Sequence, residues 1–172
     1  MPHATVTGTG WMGTAPQRLA MLLGSSETFR SVVGVSTEEQ ALQHIYFFEA
    51  SDRAGEEDPK PRAVIAVTDF MVRNQSAGGW WGEGGLALVL EFIPPPQYAD
   101  NPSDSYIWFI NTVGAIVKEM SERAGTNIVN GGSGTYLNMR EWIVLEGPAP
   151  CVPDEEDGEL FYSVIAVVNW VG

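Results

Sequence analysis

The chain has 172 residues, of which 44% are hydrophobic and 18% charged, a size and composition typical of one globular domain with a hydrophobic core. Its formal net charge of −13 excludes the basic surface needed to wrap nucleic acid and disfavours binding to an anionic membrane, but it is compatible with an acidic wall beside passing DNA. The single cysteine, Cys151, excludes an intrachain disulfide, and no apolar run is long enough to span a bilayer.

The N-terminal segment has neither the basic start nor the apolar centre of a secretory signal. We therefore expect the protein to act in a cytosol or in a structure assembled there. Residues 1–14 are rich in threonine and glycine and are predicted to form an extended arm. Residues 15–172 are predicted to form a single domain.

Three short helices are predicted at the start of this domain. The first begins near Pro16, which suits a first helical turn, and the second is capped by Ser25 or Ser26. Residues 36–39 fit a capping box, which predicts a third helix ending near His44.

A long β-hairpin is predicted next. Residues 45–48 are β-prone, and residues 63–67 and 86–93 form two further apolar strands. The glycine-rich segment 78–85 connects these last two strands. The prolines at 94–96 end the hairpin because proline cannot continue the hydrogen-bond ladder.

One long helix is predicted from Ser103 or Asp104 to about Ala124, with a stripe of apolar residues that is typical of a core-facing side. The stripe consists of Tyr106, Ile110, Val113, Val117, Met120 and Ala124. Strands over residues 137–146 and 160–171 follow, and both faces of the last strand are rather apolar. The long helix would cover one face of the sheet, and a neighbouring molecule or the short helices would cover the other.

These elements predict an α+β fold. It is a single domain in which a mainly antiparallel sheet packs against one long helix, with short N-terminal helices and a long β-hairpin.

The most informative segment is 78–85, where Trp80 and Trp81 stand among five glycines. Successive side chains of a strand point to opposite faces, so one core cannot easily bury both rings. The pair therefore predicts a surface that another molecule covers. The alternative interpretation is that one ring fills the core and the other lies over its edge.

Candidate catalytic groups are sparse. His3 lies in the predicted arm, His44 is next to an aromatic run, and Cys151 has no motif around it. Asp69, Glu83 and Glu91 would form an acid–base set if the hairpin brought them together, but their spacing does not require it.

The remaining polar motifs have simple structural interpretations. Residues 154–159 are acidic but lack the alternating ligands of a calcium loop, which favours a solvated turn. The glycine-rich residues 130–135 follow a helix and precede a strand, the reverse of a phosphate-binding loop, which favours a connector. We therefore expect no enzyme activity, no metal and no cofactor.

The sequence features that indicate a protein–protein interface are stronger than those that indicate a catalytic or metal site. Trp80 and Trp81 are predicted to lie at a protein interface, together with Glu83 beside them and Trp170 in the last strand. The apolar character of both faces of that strand also favours self-assembly.

The order of elements from residue 16 to 172 carries a family resemblance. The segments concerned are 19–23, 25–34, 61–65, 84–90, the helix over 106–123 and the closing strand that ends at Trp170. This succession resembles the tail terminator, or tail-completion, proteins of long-tailed bacteriophages. The resemblance implies a virion protein, assembled in the host cytoplasm, that forms a homo-oligomeric ring, commonly a hexamer. Such a ring caps the tail tube, ends its polymerisation and joins the tail to the head.

The same resemblance implies the partners. They are further copies of the chain, the tail tube protein and a head-completion or connector protein, with DNA passing through without specific binding. The acidic residues Asp154, Glu155, Glu156, Asp157 and Glu159 are then candidates to line or flank the channel. Alternatives are another head–tail connector or neck protein, or a small cytosolic ligand-binding or enzymatic α+β domain.

Overall fold

The structure is a computed structural model, and it describes residues 11–47, 60–75, 79–128, 134–151 and 160–171. The helices of this part are α1 (Trp11–Gly24), α2 (Glu27–Val32), α3 (Glu38–Ala41), α4 (Pro96–Ala99) and α5 (Pro102–Arg123). The strands are β1 (Ile45–Phe47), β2 (Arg62–Gln75), β3 (Gly79–Phe92), β4 (Met139–Cys151) and β5 (Phe161–Val171). A short 3-10 turn, Leu42–His44, joins α3 to β1.

The five strands form one sheet in the order β1-β2-β3-β5-β4. Neighbouring strands are antiparallel except β1 and β2, which are parallel. The predicted α+β class, the single domain and the mainly antiparallel sheet are therefore confirmed. The predicted long hairpin is the pair β2–β3.

The hydrophobic core lies between one face of the sheet and the helices α1, α2 and α5. Alternate residues of β5 are buried, as its 2.0-residue period requires. The rings of Phe29, Phe92, Phe109 and Tyr162 form a continuous chain, with centroid separations of 5.6–6.2 Å. Burying each such side chain stabilises the fold by about 1.5–3 kcal/mol. The short helices share this core with α5. This corrects the alternative that they cover the face of the sheet opposite to α5.

The long helix is present, and its buried face matches the predicted stripe in part: Met120 is buried, and Val113 and Ala124 pack against the core. The buried residues are Ser105, Phe109, Thr112, Ile116 and Met120. Tyr106 and Ile110, predicted in the core, are 37% and 36% exposed. The apolar pattern did not predict Ser105 in the core, because a hydroxyl group can be buried when it is hydrogen-bonded. Ser105 Oγ donates to the Tyr98 carbonyl oxygen at 2.5 Å.

Two helix starts also differ from expectation. Asn101 caps α5, accepting from the Ser103 amide at 3.0 Å, and Pro102 occupies the first helical position. Helix α1 begins at Trp11, so residues 11–14 are helical rather than part of an extended arm, and Pro16 lies inside the helix. The sequence prediction placed the start at Pro16 because proline is commonest in a first turn. Residues 1–10 lie outside the described part.

The predicted caps of the next two helices are confirmed. Ser26 Oγ accepts from the Phe29 amide at 3.0 Å at the start of α2. A capping box opens α3, but it is formed by Thr37 and Gln40, one position later than predicted. None of the described helices is long and apolar enough to cross a membrane.

Candidate protein–protein interface

The segment 79–85 is strand rather than the expected connector. It belongs to β3 and pairs with β2 as far as Gln75 opposite Gly79. The register between β2 and β3 shifts at a bulge between Val67 and Asp69, where the pairing of this segment begins. At this bulge the Asp69 carboxylate accepts from the Gly85 amide at 2.7 Å. A Cβ on Gly85 would lie 2.5 Å from Thr68 Oγ1 and 2.8 Å from Asp69 Oδ1, so the side chains of Thr68 and Asp69 would have to move to admit it.

The end of the hairpin extends beyond the rest of the sheet. Strand β5 pairs with β3 only from Glu83 onwards, where Glu83 lies opposite Val171. Among the described strands, β2 is therefore the sole partner of residues 79–82. We call residues 72–75 and 79–82 the hairpin arm. Four residues per strand give it a length of about 13 Å.

The hairpin arm carries the tryptophan pair. Trp80 lies opposite Asn74, and Trp81 lies opposite Arg73. The side chains of these residues lie outside the described part of the structure, so both interpretations of the pair remain predictions. The backbone alone shows that the pair is on a two-stranded ribbon, an arrangement that has marginal stability in water without further packing.

Glu83 stands at the base of this arm. Its carboxylate lies 3.4 Å from Arg140 Nη1 on β4, so it contacts the same chain. The Arg140 side chain is 58% exposed and the Glu83 side chain 19% exposed. An ion pair at this level of exposure contributes at most about 1 kcal/mol, and it ties the base of the arm to the edge strand.

Trp170 does not lie on an exposed surface. It is 5% exposed and belongs to the core cluster, because it is on the face of β5 that packs against the helices. This corrects its predicted place at an interface.

The acidic segment 154–159 lies outside the described residues, but its attachment points are visible. It leaves from the end of β4 and returns at the start of β5. There Lys60 Nζ lies 4.1 Å from the centre of the Phe161 ring, a cation–π contact. Lys60 follows the segment 48–59 in the chain, and that segment also lies outside the described residues. Together the two segments hold ten of the 22 acidic residues of the chain.

A second apolar surface, which the sequence did not reveal, lies on β4. Ile143, Val144 and Leu145 are 45%, 57% and 58% exposed. Strand β4 is at the edge of the sheet, so among the described strands it pairs with β5 on one side and has no neighbour on the other. A long exposed apolar edge is a template for pairing with another chain.

A third apolar surface is the outer side of α5. Tyr106, Ile107 and Ile110 are exposed there, and Trp108 stacks on Tyr98 with ring centres 6.4 Å apart. An open groove of about 510 Å³ runs beside this stack. It is lined by Thr28, Tyr98, Asp104, Ile107, Trp108, Asn111, Thr112 and Ala115.

The three hairpin carboxylates do not meet. Asp69 accepts from Gly85, Glu83 contacts Arg140, and Glu91 forms an ion pair with Arg62. Glu83 and Glu91 are eight residues apart on one strand, about 26 Å. No described group of three or more His, Cys, Asp or Glu side chains is arranged to hold a metal ion.

His44 makes a local contact with the backbone. His44 Nδ1 lies 3.3 Å from the Pro61 carbonyl oxygen, a contact that joins the 3-10 turn to the start of β2. Cys151 ends β4, and its side chain lies outside the described part, as do His3 and residues 130–133.

Among the described carboxylates, Glu119 on α5 has a shifted pKa, and sequence reasoning missed this residue. It accepts from Ser26 Oγ at 2.7 Å, from Thr28 Oγ1 at 2.5 Å and from the Thr28 amide at 3.2 Å. Burial raises the pKa of Glu119, but these hydrogen bonds and one from the Glu27 backbone outweigh burial and hold the pKa below its ordinary value. The residue joins α5 to the start of α2, which is a structural role.

Comparison with known proteins adds no relative: no family model matches this chain, and no curated protein is significantly similar to it in sequence.

Proposed function

We propose that this protein is a structural subunit of a long-tailed phage, assembling into a ring that caps the tail tube, ends its polymerisation and joins the tail to the head connector. The succession of elements that resembles tail terminators supports this proposal. The observation that carries it is the hairpin arm, a two-stranded ribbon bearing Trp80 and Trp81 beyond the last β3–β5 pair.

A second molecule would stabilise the hairpin arm. Each tryptophan can bury about 150–250 Å². At about 25 cal/mol per Å² that is about 4–6 kcal/mol per ring before the cost of association is subtracted. The arm continues the paired strands β2 and β3, so only its own few residues have to be ordered when it docks. A neighbouring copy of the chain is the proposed partner.

The arm also fits the geometry of a ring. Contact between the arm of one subunit and a different surface of the next is head-to-tail, and such contacts close into a ring when the rotation between neighbours allows it. A ring has two open faces, one for the tube protein and one for a head-completion or connector protein. We propose six copies, following the resemblance.

Charge supports passage of DNA through such a ring. Each subunit carries a net charge of −13, and the segments 48–59 and 154–159 hold ten of its 22 acidic residues. A wall of this sign repels the polyanion and lets it slide without sticking. We propose that Asp154, Glu155, Glu156, Asp157 and Glu159 line or flank the channel.

The proposal is tested by truncating both rings of the arm. Trp80→Ala with Trp81→Ala should leave a folded subunit that no longer forms rings, measured by light scattering after size exclusion and by electron microscopy. The matched control is Ile107→Ala with Ile110→Ala, which removes exposed apolar side chains from α5. The control should still assemble.

Two results would contradict the proposal. If the double tryptophan variant assembled like the wild type, the arm would not be the ring contact. If it unfolded, as shown by loss of its cooperative thermal transition, the rings would belong to the core.

A further inference from the structure

A small pocket, which we call the α1 pocket, lies between the start of α1 and the end of β5. Its volume of about 300 Å³ is at the lower end of the range for small-molecule sites, about 300–1,000 Å³. Helix α1 contributes Thr14, Ala15 and Arg18, and residues 135–138 and 170–171 form most of the other walls. None of its described lining residues belongs to the hairpin arm or to the groove beside α5.

The walls of the α1 pocket are held by backbone hydrogen bonds and by the core. The Tyr136 amide donates to the Thr126 carbonyl oxygen at 2.8 Å, which fixes the segment that precedes β4. The Val171 amide donates to the Asn138 carbonyl oxygen at 3.0 Å, which joins that segment to β5. Ala15 is 3% exposed and belongs to the core cluster, so α1 is fixed against the same core. The pocket is therefore preformed, as sites for small molecules usually are.

Arg18 supplies the positive charge of the α1 pocket. Its guanidinium lies beside Gly134, where Nη2 is 3.6 Å from the position that a Cβ would take. It forms no hydrogen bond or ion pair with any other described residue. The other arginines whose side chains are described all form ion pairs: Arg30 with Glu38, Arg62 with Glu91, Arg123 with Glu27 and Arg140 with Glu83. Among the described arginines, Arg18 is therefore the one that is available to a ligand.

The α1 pocket is a positive site in an acidic protein. The chain has 22 acidic residues, but none of the described residues that line the pocket is acidic. Removing a charge from water without pairing it costs free energy. The half-buried guanidinium of Arg18 therefore favours an anion that comes from outside the chain.

The remaining walls suit the apolar part of an organic molecule. Trp170 and Tyr136 are 5% and 2% exposed, so a small part of each residue reaches the pocket. Ala15 and Leu137 add aliphatic surface. The exposed side chain of Asn138 adds a neutral hydrogen-bond donor. Polar groups beside apolar walls orient a ligand while its apolar part is buried.

The shape and charge of the guanidinium select the kind of anion. Its N–H donors form a flat fork that matches the two oxygens of a carboxylate. One guanidinium balances one negative charge, whereas a phosphate monoester carries about −1.5 to −2 at neutral pH. The excess charge of such a phosphate would be repelled by a chain of net charge −13.

We propose that the α1 pocket binds a small organic monocarboxylate. The carboxylate accepts hydrogen bonds from the Arg18 guanidinium, and the apolar part of the molecule contacts Ala15, Leu137 and Trp170. This site goes beyond the proposed ring function and does not depend on it, because it uses α1 and the end of β5 rather than the hairpin arm.

Benzoate is the probe that tests the site, because it combines one carboxylate with a small apolar ring. Saturation-transfer NMR on the purified protein measures its binding, and this method works for single subunits and for rings. We expect saturable binding at millimolar concentration. Arg18→Met keeps most of the aliphatic stem and removes the fork, so it should weaken benzoate binding by about tenfold or more. Benzamide, which has the same ring without the charge, should bind the wild type more weakly than benzoate and should not distinguish the wild type from Arg18→Met.

The matched control is Lys118→Met, which removes the same charge from a side chain on α5 that is 76% exposed. It should bind benzoate like the wild type, since it lies outside the described lining of the pocket. Thermal melts of both variants separate loss of binding from loss of folding.

Three results would overturn the proposal. They are a wild type that shows no saturable benzoate binding, a folded Arg18→Met that binds benzoate as well as the wild type, and a Lys118→Met that loses as much binding as Arg18→Met. If Arg18→Met lowered the particle mass while benzoate failed to bind, the carboxylate would belong to a neighbouring copy and the small-molecule site would be wrong. The ring proposal is judged separately, by the tryptophan variants.

Discussion

At the scale of single residues, two positions hold the fold through contacts that hydrophobic patterning does not reveal. Gly85 lets the Thr68–Asp69 bulge close onto β3, and Glu119 joins α5 to α2. Both contacts are between polar groups that are distant in sequence. The first closes the hairpin that carries the arm, and the second joins two helices of the layer that packs against the sheet.

Gly85→Ala should destabilise the protein by about 1–3 kcal/mol, because its Cβ would fall within 3 Å of both Thr68 Oγ1 and Asp69 Oδ1. Gly114→Ala is the matched control: no atom lies within 4 Å of its Cβ, and it sits inside α5. That change should stabilise the protein by about 0.5–1 kcal/mol, since alanine is the better helix former. Urea unfolding measures both. Equal effects of the two substitutions would disprove the close approach at Gly85.

Glu119→Gln should cost about 1–2 kcal/mol at neutral pH, since hydrogen bonds to a charged acceptor become bonds to a neutral one. The folded-state pKa of Glu119 is lowered, so its stabilisation is present above the unfolded pKa and lost as pH falls through the folded pKa. The stability difference between wild type and Glu119→Gln should therefore shrink in acid, as followed by urea titrations at several pH values. Glu122→Gln, at a side chain that is 64% exposed, serves as control and should show little difference at any pH. A difference for Glu119→Gln that stayed constant with pH would rule out this role of the carboxylate.

At the scale of elements, the sequence predicted the starts of helices better than it predicted which face of a helix is buried. Ser26 and residues 36–39 marked two helix starts because capping is a local interaction. The buried face of α5 was missed because Ser105 and Thr112 take core positions, which depends on partners elsewhere in the fold. The extent of β3 through residues 79–85 was missed because glycine is usually depleted in strands, and only the bulge on β2 explains it.

The hairpin arm should exchange its amide hydrogens quickly in the free subunit and slowly in the assembled ring. A two-stranded ribbon opens locally at low cost, and docking against a neighbour removes that opening. Hydrogen exchange read by mass spectrometry on peptides covering residues 79–82 measures this. Residues 86–90, which pair on both sides, are the internal control and should be protected in both states. Protection of the arm that does not change on assembly would place the ring contact elsewhere.

At the scale of the whole molecule, the sequence predicted the class of fold, but not where the apolar surfaces would lie. The edge position of β4 depends on the strand order, in which β5 enters between β3 and β4. Strand order is a non-local property, so the exposure of Ile143, Val144 and Leu145 has no signature in the chain. Trp170 is the opposite case: the sequence predicted it at an interface, but it lies on the face of β5 that the helices cover.

The measurement that tests the central claim most directly is the mass and shape of the purified wild-type protein, by native mass spectrometry and electron microscopy of the same sample. We expect closed rings of six copies, each copy contributing 18.7 kDa. A stable monomer that stays monomeric at high concentration and in the presence of tail tubes would contradict the assignment of this chain as a ring-forming tail protein.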